Sequence, residues 1–134
     1  MTLVQAQTRP MSTDAAHRTA ADAMDAAGPQ VWEDMTVEVA LSVMAAARTG
    51  RLVVCDEDGQ YIDLVTRDRL NAVRDGSGYS DRVRLRDITA SDGPLVSPLT
   101  TVAEAEHAMR HHRFGALPVV DEHGNALGIL AHSR

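Results

Sequence analysis

His107 and His111 stand four residues apart, a spacing that sets two imidazoles on one helical face and could hold a metal ion. No third ligand lies nearby in the sequence and no glutamate is interposed, so the pair reads as surface. Glu38, Glu57, Glu104 and Glu106 fall on exposed helix or turn positions, and nothing pairs two of them as general acid and base. Ser97 and Ser133 lack the elbow or triad setting of a nucleophile. Cys55 closes the apolar run Leu52-Val53-Val54-Cys55 with no histidine or charged activator beside it, which makes it a small buried hydrophobe. As the single cysteine it cannot form an intramolecular disulfide, and it suits a reducing compartment. All 13 basic residues are arginine, so Schiff-base and Walker-lysine chemistry are excluded. No catalytic set and no metal set emerges, and the chain reads as a non-enzyme. The basic run Arg110-His111-His112-Arg113 is left to offer phosphate contacts, or to face solvent or a second subunit at a helix C-terminus.

The elements that carry these residues must pack into one domain, which 134 residues allow. Only 1 Trp, 2 Tyr and 1 Phe are present, so the core is built from Val, Leu, Ile, Met and Ala. A net charge of −6 argues against a nucleic-acid surface or an anionic membrane. No stretch is long and apolar enough to span a bilayer. Residues 1–12 lack the charged start and apolar centre of a secretory signal, and we expect a flexible tail on a cytoplasmic protein. The missing lysine, with abundant Ala, Asp, Gly and Val, looks like a genome rich in G and C. That weakens any single arginine as a sign of selection.

One stretch is written twice. Asp22–Arg69 moved forward by 65 positions lies on Asp87–Arg134 without a gap, and about a third of the positions agree. Gly28-Pro29 falls on Gly93-Pro94, Val31 on Val96, Met44 on Met109, Arg48 on Arg113 and Gly59 on Gly124. Two such copies make one domain about a pseudo-two-fold axis, with clefts where they meet.

In the first copy, Ser12 to about Met24 predicts a short helix capped by Ser12 or Thr13. Val31-Trp32 reads as extended. Thr36 caps a helix with Val37, Ala40, Leu41, Met44 and Ala47 on one face, stopped by Gly50. Leu52–Cys55 and Tyr61–Val65 flank the turn DEDG, and Arg67–Arg74 is a closing helix with Leu70 and Val73 inward. The second copy repeats the order: Leu95-Val96, a helix from Thr101 to Gly115, then Ala116–Val120 and Ala126–Ala131 around DEHG. It reaches Arg134 before a closing helix, so we expect the N-terminal helix or another subunit to cover that face, unless the sequence is cut short there. We divide the chain into 1–12, a first repeat 13–75, a linker 76–82 and a second repeat 83–134.

Tandem β-α-β-β-α repeats with an L-P-V-V-D strand and a G-I-L strand resemble a CBS-domain pair, or Bateman module, of the stand-alone bacterial kind. TTVAEAEHAMRHHRFGALPVVDEHGNALGIL and TVEVALSVMAAARTGRLVVCDEDGQYIDLVT carry the likeness. The resemblance implies an α+β regulatory fold, a homodimer, and a role in passing ligand occupancy to a regulated protein. It also implies adenosine-containing ligands such as AMP, ADP or ATP in the clefts, lined by Val31, Trp32, Thr66 and Arg69 and by Val96, Leu117, Pro118 and Arg134.

The family pattern at the closing helix is a small residue, two apolar residues, Thr or Ser, two variable positions and Asp. The hydroxyl and helix N-terminus can meet a phosphate, and the carboxylate accepts from the ribose hydroxyls. In DLVTRDR, Thr66 is present, Asp63 stands where Gly is usual, and Arg69 replaces the Asp; Asp68 is turned about 100° away on a helix. In GILAHSR, Gly128 fits, Ala131 replaces the Thr and Arg134 the Asp. Arginine cannot accept from a diol but suits a phosphate. Two readings stand: a cleft for a phosphorylated ligand, or a ligand-free dimerisation or docking module in which Arg69 and Arg134 pair with surface carboxylates. Trp32, whose counterpart is Ser97, could plug the first site, stack on a ring, or pack in the core or at a dimer contact.

Overall fold

The structure, a computed structural model, describes residues 17–89 and 94–131. The elements in chain order are α1 (Ala20–Ala23), β1 (Asp25–Ala26), β2 (Gln30–Trp32), α2 (Val37–Ala47), β3 (Arg51–Cys55), β4 (Tyr61–Thr66) and α3 (Arg67–Arg74). A 3-10 turn (Leu85–Asp87), α4 (Val102–His112), β5 (Ala116–Val120) and β6 (Ala126–Ala131) follow. They form an α+β fold of two three-stranded sheets, ordered β2-β3-β4 and β1-β6-β5. No helix among the described residues is long and apolar enough to cross a membrane.

The 65-residue offset holds at atomic detail. β2 runs parallel to β3 with Val31 beside Val54, and Val96 bridges Val119 in parallel at the matching place. β3–β4 and β5–β6 are antiparallel hairpins, each with a register shift at its matching position, Val54/Cys55 and Val119/Val120. The turns agree for a chemical reason. Asp56 Oδ1 accepts from the N–H groups of Asp58 and Gln60 at 2.9 and 3.0 Å, and Asp121 Oδ1 does so from His123 and Asn125, both at 2.9 Å. Gly59 and Gly124 then take φ of 81° and 87°, open to glycine at little steric cost.

The long helices bury the residues their spacing marks: Val37, Ala40 and Met44 in α2, and Val102, Ala105 and Met109 in α4. Thr36 and Thr101 cap them by accepting from Val39 and Glu104. The expected stops are corrected. Arg48 and Arg113, at φ 55° and 60°, turn the chain out of the helices two residues before Gly50 and Gly115, because the sharp entry into the next strand falls there.

Each copy is completed by the segment in front of the other. Val37 N donates to Val83 O at 2.9 Å, and Val102 N to Arg18 O at 2.8 Å, a pair related by the same offset. Leu85 lies in the core of the first copy with Met44, Leu52 and Leu70, while Ala20 lies in that of the second with Met109, Leu117 and Leu130. Burying Leu85 contributes about 1.5–3 kcal/mol and Ala20 less, so the exchange binds the halves together. It also breaks the expected Ser12–Met24 helix. The Arg18 carbonyl is taken up by α4, and Thr19 starts a new turn in a capping box with Asp22; Ser12 and Thr13 lie outside the described residues. Two elements had no sequence signal, β1 and the 3-10 turn. A third cluster joins the sheets: Val53, Cys55, Ala116 and Ile129, with Tyr61 and Leu64 against it.

Candidate functional site

β4 passes into α3 without a loop. Thr66 is the hinge: its backbone is extended, and its hydroxyl accepts from Arg69 N at 3.2 Å, starting the helix. Beside this junction lies a cavity of about 320 Å³ between the copies. The first copy contributes Arg51, Asp63, Leu64, Thr66 and Arg69. Opposite stand Pro94, Pro118 and the turn after α4, Arg113-Phe114-Gly115-Ala116. Three guanidiniums thus share one cleft in a chain whose net charge is −6.

Asp63 and Arg69, the two departures from the expected pattern, meet each other. Arg69 Nη1 donates to Asp63 Oδ2 at 3.0 Å, with the carboxylate side chain 5% exposed and the arginine 38%. Asp63 Oδ1 accepts from Leu64 N at 2.8 Å, and Arg69 Nη2 donates to the Ile88 carbonyl. The partner of Arg69 is therefore a buried carboxylate of its own repeat, not a surface one. Burial near this pair pushes the Tyr61 phenol well above its ordinary pKa, the Asp63 charge adding to it. Tyr61 donates to the Pro94 carbonyl at 3.2 Å and ties the cleft's two walls.

The matching position in the second copy is built otherwise. A Cβ on Gly128 would lie 2.5 Å from Asp25 O and 2.7 Å from Met24 Sδ, because β1 pairs with β6 there. Backbone and Met24 fill the space that the Asp63 side chain occupies in the first copy. Positions 63 and 128 are therefore built differently.

Of the residues expected at the site, Thr66, Arg69 and Pro118 come together in this cavity. Val31 and Val96 are core residues, and Leu117 is nearly fully buried; Val96 and Leu117 line a shallower depression beside it with Phe114 and His112. Trp32 is 50% exposed and lines neither. Arg134 lies outside the described residues. Asp68 is exposed, as its place on the helix requires. Cys55 is buried with its thiol pKa raised, first by burial and then by Asp56. His107 and His111 stack at 6.1 Å between ring centroids, and no group of three metal-ligating side chains occurs among the described residues. Arg51, Phe114 and Gly115 carry no mark of the site in the sequence. They reach the cleft through docking of the two sheets, which leaves no local pattern; Arg113 is visible only as part of a basic run.

The CBS-domain pattern matches residues 20–74 and 85–133. Homoserine O-acetyltransferase of Methanosphaerula palustris is 28% identical over 116 residues, 86% of this chain and 23% of that enzyme. This chain thus spans about a quarter of that relative's length. Among solved structures, CBSX2 in complex with AMP superposes with a TM-score of 0.75 at 23% identity, covering 85% of this chain and 90% of that one. The cytosolic domain of the Mg2+ channel MgtE in complex with ATP gives 0.74 at 27% identity, covering 85% and 46%. Two matched segments, an unbroken 65-residue offset and one shared topology make this chain a member of the CBS-domain family, carrying a pair of CBS repeats.

Proposed function

We propose that this chain is a non-catalytic regulatory module whose cleft beside Thr66 takes a phosphorylated metabolite, an adenine nucleotide being the first class to test. The observation that carries the reading is one cavity in an acidic protein that two guanidiniums, Arg51 and Arg113, line from opposite copies, beside an Arg69 already paired with Asp63. Arginine's planar fork suits phosphate oxygens, and 320 Å³ falls within the usual range for small-ligand sites. AMP and ATP bound to CBSX2 and to the MgtE domain support the nucleotide class. Phe114 and Leu64 offer apolar wall for a ring. The exposed carboxylate of α3, Asp68, does not line the cavity, so phosphate rather than a ribose diol leads recognition here.

The ligand acts by favouring one docking of the two repeats over another, which a homodimer or a regulated partner reads. The division into 13–75 and 83–134 sets the units that move. A buried single cysteine suits a cytoplasmic setting. The test is a thermal-shift series with AMP, ADP, ATP, NADP and S-adenosylmethionine at millimolar concentration. Binding to the native state raises the melting temperature; no shift with any of them contradicts the proposal.

A second reading, a docking module without ligand, draws on the Asp63–Arg69 pair and on exposed Trp32, Leu95 and Leu99, the last 80% exposed. It predicts an unmoved melting temperature and a protein that copurifies.

A further inference from the structure

The family pattern directs attention to position 69, but the geometry gives that side chain other work. One face of the Arg69 guanidinium is held by Asp63 and another by the Ile88 carbonyl. Arg51 and Arg113 differ. Both line the same cavity, both are exposed, and neither side chain has a hydrogen bond or ion pair among the described residues. They belong to opposite repeats: Arg51 opens β3 of the first, and Arg113 ends α4 of the second.

Arg113 also sits at φ 60°, a left-handed conformation that glycine adopts with less strain. Arg48 shares that conformation in the first copy, so the backbone alone says nothing of a ligand. Its placement over the cavity opposite Arg51 does. Two unpaired guanidiniums facing one cleft repel each other, and a dianion between them turns that repulsion into a bridge.

We infer that the anionic group of the ligand is gripped jointly by Arg51 and Arg113, across the boundary between repeats, while Arg69 is a positioning residue that holds β4 to α3. This rests on the cleft reading above and names its ligand chemistry: a phosphate or diphosphate, with the nucleoside secondary. Because the two arginines come from different repeats, binding strengthens the docking of one repeat on the other. Neutralising either arginine relieves repulsion in the empty cleft.

The experiment is a thermal-shift and calorimetric titration of the full chain with sodium pyrophosphate and with AMP. It compares the wild type with R51Q, R113Q, the double R51Q/R113Q, and R69Q. Neutralising one of the two gripping guanidiniums should weaken binding roughly ten- to hundredfold. The double variant should show no shift, while its unliganded melting temperature stays at or above the wild-type value. R69Q should melt lower without ligand but keep the pyrophosphate shift. A shift that survives in R51Q/R113Q, or one that R69Q alone abolishes, overturns the inference and leaves the cleft reading standing. If neither pyrophosphate nor any nucleotide moves the wild type, both fall.

Discussion

Asp63 on β4 and Arg69 on α3 are partners at 3.0 Å, so two separate departures from the family pattern are one exchange. The carboxylate has moved from the helix to the strand, and the guanidinium has taken the helix position. The cleft keeps an acid, and that acid is paired with Arg69 of its own repeat.

Removing either partner should therefore destabilise the fold. Asp63→Ala should cost about 1–3 kcal/mol, because Arg69 loses its anion and the buried position loses its hydrogen bonds. Arg69→Asp should be worse, placing two carboxylates together. Combining Arg69→Asp with Asp63→Ala should recover stability and create a free carboxylate for a ribose diol. Urea unfolding of the four proteins reads the coupling, and AMP titration reads the new acceptor. Additive effects of the two substitutions would contradict the pairing.

Gly128 is the second copy's answer at the Asp63 position, and there the space is closed by Asp25 O and Met24. Gly128→Ala should destabilise by about 1–3 kcal/mol through overpacking. The same change at Gly78, where nothing lies within reach of a Cβ, should alter stability by less than about 0.5 kcal/mol. Equal midpoints for the two variants would contradict the contact.

Two capping carboxylates should contribute to the acid limb of stability. Hydrogen bonds from Thr19 hold the Asp22 carboxyl below its usual pKa, and the Asn125 N–H does the same for Asp121. Their charged forms are favoured in the folded protein, so their contribution is present above the ordinary carboxyl pKa, about 4. It is lost as pH falls through the lowered folded values. Unfolding midpoints measured from pH 6 to pH 2 should fall with acid, and D121N should fall less steeply. A wild-type midpoint unchanged below pH 4 would count against the caps.

At the alkaline end, burial and then the 2.6 Å hydrogen bond to Glu38 push the Tyr79 phenol up to about 12. Tyr61 lies above its ordinary value too. Both raised values mean stability present below about pH 10 and lost as pH climbs through the folded pKa values. Absorbance at 295 nm should show no tyrosine ionising in the folded protein near pH 10. Glu38→Gln should lower the Tyr79 midpoint.

The sequence made the repeat legible because matching residues do matching work: Asp56 and Asp121 cap turns, and Met44 and Met109 fill cores. It also showed Thr66 and Arg69 at a helix start. What it hid were relationships between segments far apart in the chain. The exchange of Ala20 and Leu85 between cores needs both copies folded, and so do Arg51 and Phe114 meeting at one cavity. Trp32 drew attention as the single tryptophan, yet the strand it ends turns it half into solvent. An unusual residue type marked nothing at this cleft, whereas two mismatched residues prove to be partners on its lining.

Amide chemical shifts of the labelled full chain, followed as AMP and then pyrophosphate are added, test the central claim most directly. Occupancy of the cleft between repeats predicts the largest changes at Asp63, Thr66, Gly115 and Ala116, reached from both copies at once. Changes confined to one copy, changes clustered around Gly128 and β1, or none at millimolar ligand would contradict it.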